Sequence, residues 1–165
     1  MKKITGEEKI VDVCCGSKMF WVDKEDEDVV FCDIRHETHV LCDGRILNVW
    51  PDIICDFTNQ PFADKAMKIV VFDPPHLVKI GDNAWMALKY GKLPKNWQEL
   101  IKKGFEECWR ICDDYGIIIF KWNEAQIKES DVVKAIGRNY KLGHRSGKGN
   151  KTIHMMFVKI PDKGE

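Results

Sequence analysis

The chain is 165 residues long, 44% hydrophobic and 32% charged, with a formal net charge of zero; this suits a single globular domain, 1–165, with a sizeable core. Its apolar runs, such as Ile117-Ile118-Ile119-Phe120, are far too short to span a bilayer, so no membrane partner is expected. The first eight residues hold no apolar stretch that would serve as a secretory signal, and a cytoplasmic location is the expectation.

In chain order, Ile10-Val11-Asp12-Val13 reads as a first strand running into the tight turn Cys14-Cys15-Gly16-Ser17, where Ser17 is expected to cap a short helix reaching Trp21 or Val22. Val29-Val30-Phe31-Cys32 is a second strand ending at Asp33. Residues 39–49 read as a hairpin around Asp43-Gly44. Ile53-Ile54-Cys55 is a third strand ending at Asp56, and Ile69-Val70-Val71-Phe72 a fourth ending at Asp73. The fourth is continuous and β-branched, as a strand covered on both faces should be. Residues 77–95 form a long irregular segment, of the kind that is functional or mobile. Helical spacing of Leu100, Ile101, Phe105, Cys108, Trp109 and Cys112 predicts a helix over 97–112. A fifth strand follows at 116–120, and a helix at 125–136 that Gly137 ends. A sixth strand begins at Tyr140-Lys141-Leu142 and a seventh covers 153–160. The glycine-rich link 143–150 is too short for a crossover helix, so this last pair must be antiparallel. The alternation as a whole argues an α/β fold with a mostly parallel sheet.

The seven cysteines are odd in number and several sit inside strand-like runs, which reads as buried free thiols in a reducing compartment. His36, His39 and Cys42 lie close together, but no Cys-x-x-Cys pair exists, and no metal is expected. Charge is unevenly spread. Residues 1–60 hold 13 acidic and 7 basic side chains, whereas residues 132–160 hold no acid at all. Such a basic stretch is either a solvated face or a surface for a polyanion.

Ligands of open parallel sheets bind outside the carboxyl ends of the strands. Strands one to four end at Cys14-Cys15-Gly16, Asp33, Asp56 and Asp73. One such charge is unremarkable; four strand ends in register point to a site. A glycine after the first strand lets backbone approach a ligand closely. Asp33, seventeen residues after Gly16, is placed to accept hydrogen bonds from ribose hydroxyls. Gly16 is followed by Ser17-Lys18-Met19 and not by the further glycines a pyrophosphate needs, so the ligand is a nucleoside without a pyrophosphate. The absence of a Gly-Lys-Ser/Thr pattern counts against nucleoside triphosphate hydrolysis.

Asp12-Val13-Cys14-Cys15-Gly16-Ser17 resembles the first cofactor motif of the class I S-adenosylmethionine-dependent amino-methyltransferases. Val71-Phe72-Asp73-Pro74-Pro75-His76 resembles their catalytic motif, in which Asp or Asn, two prolines and an aromatic follow the fourth strand. The resemblance covers nearly the whole chain. It implies a Rossmann-like, seven-stranded, mostly parallel sheet with a final antiparallel strand and helices on both faces. It also implies S-adenosyl-L-methionine as cofactor. Asp12, Cys14, Cys15, Gly16, Asp33, Ile34, Asp56, Phe57 and Asp73 would bind it, the first four in the turn motif, Asp33 at the ribose and Asp56 with Phe57 at the adenine ring. Two positions depart from the family: Lys18 stands in a glycine's place, and His76 stands where relatives carry Tyr, Trp or Phe.

The implied reaction is methyl transfer to an amino nitrogen, with a nucleobase of DNA or RNA as the expected acceptor. Asp73 and the Pro74 carbonyl would accept the two N–H bonds of an exocyclic amine and aim its lone pair at the methyl. The two prolines stiffen that segment, and His76 would flank the substrate by stacking or as a proton acceptor. The plain alternative for Asp-Pro-Pro is a rigid turn. Trp85 and Tyr90 would line a substrate lid or pack the loop down. Lys121-Trp122-Asn123 would touch substrate, or Asn123 would cap the next helix. Arg145, Lys148 and Lys151 at the glycine-flanked tip, together with the basic segment 89–103, would bind phosphates. No segment is spare for a target-recognition domain, so specificity would come from a partner, a homo-oligomer or an unpaired target. The alternatives are a small-molecule or protein side-chain acceptor, or an inactive methyltransferase fold serving as a binding module.

Overall fold

The computed structural model describes residues 4–82 and 84–161; residues 1–3, part of the N-terminal stretch read for a signal, lie outside them. In chain order the elements are β1 (Ile10–Asp12), β2 (Val29–Asp33), β3 (Glu37–Val40), β4 (Ile46–Val49), β5 (Ile53–Ile54), β6 (Met67–Phe72), α1 (Trp85–Tyr90), α2 (Trp97–Ile111), β7 (Cys112–Asn123), α3 (Glu129–Ile136), β8 (Leu142–Ser146) and β9 (Thr152–Val158). Seven strands form one sheet in the order β5-β2-β1-β6-β7-β9-β8, and β3 with β4 forms the expected hairpin apart from it. Strands β5, β2, β1, β6 and β7 are parallel; β9 runs antiparallel to β7 and to β8. The fold is thus mixed α/β, with a mostly parallel sheet ending in an antiparallel pair, compatible with a Rossmann-like arrangement. The chain steps outward from β1 to β2 and β5, then returns to β6 on the other side of β1. The strand order therefore reverses between β1 and β6, the position where such sheets open a ligand crevice.

The core follows from alternation in the sheet and periodicity in the helix. Trp97, Ile101, Gly104, Phe105, Cys108 and Ile111 share the buried face of α2. They pack on Val70 and Phe72 of β6, Ile118 and Phe120 of β7 and Met155 and Phe157 of β9. Ring contacts stitch this layer, with Phe72 and Phe120 centroids 4.9 Å apart and Phe105 and Phe157 4.7 Å apart. Each buried aromatic contributes about 1.5–3 kcal/mol of transfer free energy. Lys159 is buried because its Nζ donates to the Trp109 and Cys112 carbonyls at 2.7 Å each, satisfying acceptors that the end of α2 leaves open.

Several local expectations differ from what forms. Ser17 caps no helix: residues 14–28 are a run of turns. The full helical layer, α2 with α3, lies on one face. On the other, Cys15, Val29 and Phe31 are closed over by Trp21, a thinner cover than the expected helices. The irregular segment contains one short helix, α1. Helix α3 starts at Glu129 rather than at 125, because Glu124 and Asn123 stabilise a turn first: the Glu129 N–H donates to Glu124 and the Ala125 N–H to Asn123. Gly137 ends α3 in the left-handed conformation, as expected. Strand β8 begins at Leu142 and takes in half of the glycine-rich link, since Leu142 to Ser146 pair with Met156 to Thr152.

Candidate active site

The turn after β1 is held from four directions. Cys15 donates its backbone N–H to the Cys32 carbonyl at 2.8 Å, and Gly16 donates its own to Asp33 Oδ2 at 2.8 Å. Gly16 has φ 51°, which a side chain would strain. Lys18, standing in a glycine's place, adopts φ 56°, the conformation a glycine would take. Its chain is buried, with Nζ donating to the Lys24 carbonyl and lying 4.2 Å over the Phe31 ring. Asp12 anchors the turn from beneath: Oδ1 accepts the Cys14 N–H at 3.2 Å and Oδ2 accepts the Trp21 indole N–H at 2.7 Å. Burial pushes the Asp12 carboxyl up to about 7. Burial also raises the Cys14 thiol well above its usual range, so it is no nucleophile at neutral pH.

Because β5, β2, β1 and β6 are neighbours, their carboxyl ends surround one pocket of about 270 Å³. Cys14, Cys15, Gly16, Asp33, Ile34, Asp56, Phe57, Asp73 and Pro74 all line it. The Asp33 side chain is only 5% exposed, and its Oδ1 accepts the Arg35 backbone N–H at 2.9 Å and Nε at 3.2 Å. Asp56 is set by an Asx turn, accepting the Thr58 N–H and hydroxyl at 2.8 and 2.9 Å. Phe57 forms a floor against Phe72, centroids 5.3 Å apart. This floor needs Gly104, since a Cβ there would come within 2.5 Å of the Phe57 ring.

Asp73, like Asp33 with Arg35, has a cation on it, here from the neighbouring strand β7. Lys121 Nζ donates to Asp73 Oδ2 at 2.5 Å, and both side chains are 24% exposed. Burial raises the Asp73 carboxyl while Lys121 pulls it back. His76 does not line the pocket. Its ring packs at 5.6 Å against Tyr90 and 6.4 Å against Trp122, and burial with the nearby Lys121 holds it down at about 4, a neutral imidazole at pH 7. Asp12 also lies outside the lining, one layer below the turn.

Segment 77–95 is pinned across the pocket. Gly91, at φ 76°, lets backbone approach Pro75, where a Cβ would come within 2.9 Å. Arg35 Nη1 donates to the Leu88 carbonyl at 2.9 Å, and Leu93 N–H to the Leu77 carbonyl at 2.8 Å. Tyr90 lines the pocket. Trp85 does not: it is 47% exposed beside a wider, open groove of about 1580 Å³ between the acidic loop 23–28 and the hairpin.

The basic tip lies on the same edge of the sheet. Thr152 of β9 pairs with Asn123 at the end of β7, so the link 147–151 projects beside the pocket edge, beyond β7. Lys148 and Lys151 are exposed there, whereas Arg145 is drawn to Glu124 at 2.6 Å and Glu129 at 3.7 Å. Within 89–103, Lys102 and Lys103 pair with Glu106 and Glu99 along the helix, and Lys92 with Asp82. Lys89 and Lys92, from the basic segment expected to bind phosphates, line the pocket with Leu100 of the same segment; Arg35 and Phe20 line it too, and neither was singled out from sequence as a ligand contact. Only contacts across the fold reveal Arg35 and Phe20; Lys121, also in the lining, carried a signal in its position just after a strand. Among the described residues no three His, Cys, Asp or Glu side chains are grouped to hold a metal ion, and no helix is long and apolar enough to cross a membrane.

No family model matches the chain, and no curated protein matches it. Among solved structures it is similar to the PH0226 protein from Pyrococcus horikoshii OT3, at 12% identity and a TM-score of 0.55, over 91% of this chain and 81% of that one. At that identity the likeness concerns the fold alone.

Proposed function

We propose that the chain is an S-adenosyl-L-methionine-dependent methyltransferase acting on an amino nitrogen, with a nucleobase of DNA or RNA as the acceptor class. The observation that carries this reading is the meeting of Cys14 to Gly16, Asp33, Asp56 and Asp73-Pro74 around one pocket at the point where the strand order reverses. The donor set suits a nucleoside with a cationic tail. Asp33 has three of its roughly four acceptor positions used, by Gly16 and twice by Arg35, which leaves one for a ribose hydroxyl and a second if Arg35 swings away. Phe57 and Leu100 offer an apolar floor for a flat ring, and Asp56 an acceptor beside it. The cofactor supplies a methyl already activated on sulfur. The chain's part is to orient the acceptor: Asp73 and the Pro74 carbonyl take the amine's N–H bonds, and the two prolines hold that carbonyl still.

His76 supports Tyr90 from behind in this reading, and Tyr90 with Phe20 supplies the flat surfaces at the pocket. The acceptor's phosphates would run toward Lys148 and Lys151, with specificity coming from a second copy, a partner or an unpaired target. A reducing, cytoplasmic setting fits the seven unpaired cysteines. The test is titration calorimetry with S-adenosylmethionine and S-adenosylhomocysteine, then transfer of labelled methyl to DNA, RNA and cell extract. Asp73→Ala is expected to abolish transfer and to leave cofactor affinity within a few-fold. Absence of cofactor binding by the wild-type chain overturns the reading. Binding without transfer to any acceptor would point to a cofactor-sensing module.

A further inference from the structure

Among the described residues Lys121 is the one cation in direct contact with Asp73, and the sheet itself brings them together. Phe72 and Phe120 pair in register, so Asp73 and Lys121 are the next residues along two neighbouring strands. No other hydrogen bond to the Asp73 carboxylate is made among the described residues, which leaves Oδ1 free. Lys121 is fixed on its other side as well. Its Nζ lies 5.3 Å over the Phe20 ring, Phe20 stacks on His154 at 5.7 Å, and His154 is the β9 neighbour of Lys121. A lysine so enclosed, at the mouth of a pocket it lines, is costly to desolvate unless its charge is used.

Resting on the methyltransferase reading, we propose that Lys121 is the positioning residue of the site and sets its acceptor class: a neutral amino group, as on a heteroaromatic ring, in preference to an alkyl ammonium. Lys121 holds Oδ2, so Oδ1 of Asp73 is the oxygen presented to the incoming amine. Asp73 with Lys121 is a neutral pair. A ring amine, uncharged at neutral pH, adds no charge to it. An alkyl ammonium must bring a second cation beside Lys121 in a partly desolvated pocket, and it has no lone pair to use. In the transfer step the amine lone pair forms the bond to the methyl carbon. The carbon–sulfur bond breaks with its electrons going to sulfur, the sulfonium becomes a neutral thioether, and the nitrogen then loses its proton to water. The cation keeps Asp73 ionised for that step. The other groups around Asp73 are His154 from β9, Asp12 from β1 and Cys14 in the turn after it; burial with Lys121 nearby keeps His154 neutral, and burial keeps the Cys14 thiol uncharged.

The experiment compares wild type with Lys121→Met and Lys121→Arg. On the cofactor-free protein, the Asp73 carboxyl is titrated by carbon-13 NMR. Its midpoint should rise by about one unit or more in Lys121→Met and return in Lys121→Arg; an unmoved midpoint overturns the hold of Lys121 on Asp73. If Lys121→Met does not fold, Lys121→Gln replaces it in the same titration. With labelled cofactor, wild type should favour adenine- and cytosine-containing oligonucleotides over lysine peptides and alkylamines by at least about a hundredfold in kcat/KM. Lys121→Met should lower kcat and move the acid limb of the pH profile upward, with KM for the methyl donor unchanged. Equal use of ammonium acceptors by wild type overturns the selectivity. If nothing is methylated, the methyltransferase reading fails by itself, and the titration still decides whether Lys121 governs Asp73.

Discussion

Asp33 reaches back across seventeen residues to accept the Gly16 backbone N–H at 2.8 Å on Oδ2, while its Oδ1 accepts the Arg35 backbone N–H at 2.9 Å. One carboxylate thus shapes the turn after β1, fixes the exit of β2 and faces the pocket. Asp33→Ala should weaken S-adenosylmethionine or S-adenosylhomocysteine binding by roughly ten- to a hundredfold, the effect of losing a charge-assisted hydrogen bond. Calorimetry giving an unchanged affinity would remove Asp33 from the ligand contacts.

Gly104 is the point on α2 where the pocket floor touches the core. A Cβ there would meet the Phe57 ring at 2.5 Å and Phe72 at 2.9 Å, both too close without movement. Gly104→Ala should cost about 1–3 kcal/mol in denaturant unfolding and weaken cofactor binding, because Phe57 yields more readily than the buried Phe72. Stability lost with affinity intact would mean that Phe57 is packing only.

Asp12 gives a pH dependence with a definite sign. Its carboxyl lies near 7 in the fold against an ordinary value of 3.8. The native state therefore holds a proton that the unfolded chain has released between those values. The contribution of Asp12 to stability is fully present below 3.8 and is lost as pH rises through 7. Asp12→Asn removes that slope. Relative to wild type it should gain on the order of 1–3 kcal/mol between pH 4 and pH 8, read as a Tm difference that grows with pH. A constant difference would show that Asp12 does not titrate in this window.

The basic tip predicts a salt dependence. Binding to nucleic acid should weaken steeply with ionic strength, and Lys148→Gln with Lys151→Gln should lower the slope by about 0.9 per lost phosphate contact on duplex, less on single strands. Arg145→Gln should act differently. Arg145 is already paired with Glu124 and Glu129, so its loss should lower stability more than it changes the slope. Undetectable binding to DNA and RNA at low salt would leave a small molecule or a protein amide as the acceptor.

Strand existence and the strand-end residues were legible in the sequence, because both are local. A β-branched run such as Ile69 to Phe72 has only one comfortable environment, a sheet covered on both faces, and the residue that ends it must fall at the edge. The antiparallel ending was equally legible, since a link of a few residues cannot cross over. The tight turn at Gly16 likewise belongs to short-range geometry. The helix expected at Ser17 did not form. Capping signals state what a segment can do in isolation; here Cys15, Gly16 and Lys18 are committed to Cys32, Asp33 and the Lys24 carbonyl instead.

Tertiary structure alone decided which strands are neighbours, and with that the partners of the site. Asp73 and Lys121 are separated by 48 positions, and nothing in either segment announces the other; parallel pairing of β6 with β7 puts them in contact. The same holds for Arg35 on the Leu88 carbonyl and for His76, whose place after the prolines suggested a substrate contact but whose ring turns to Tyr90 and Trp122. A sequence fixes which chemical groups stand at strand ends, because that depends on a few adjacent residues. Which charge meets which depends on long-range pairing, where the gain comes from burying whole faces of strands and helices together, and no short motif encodes that sum.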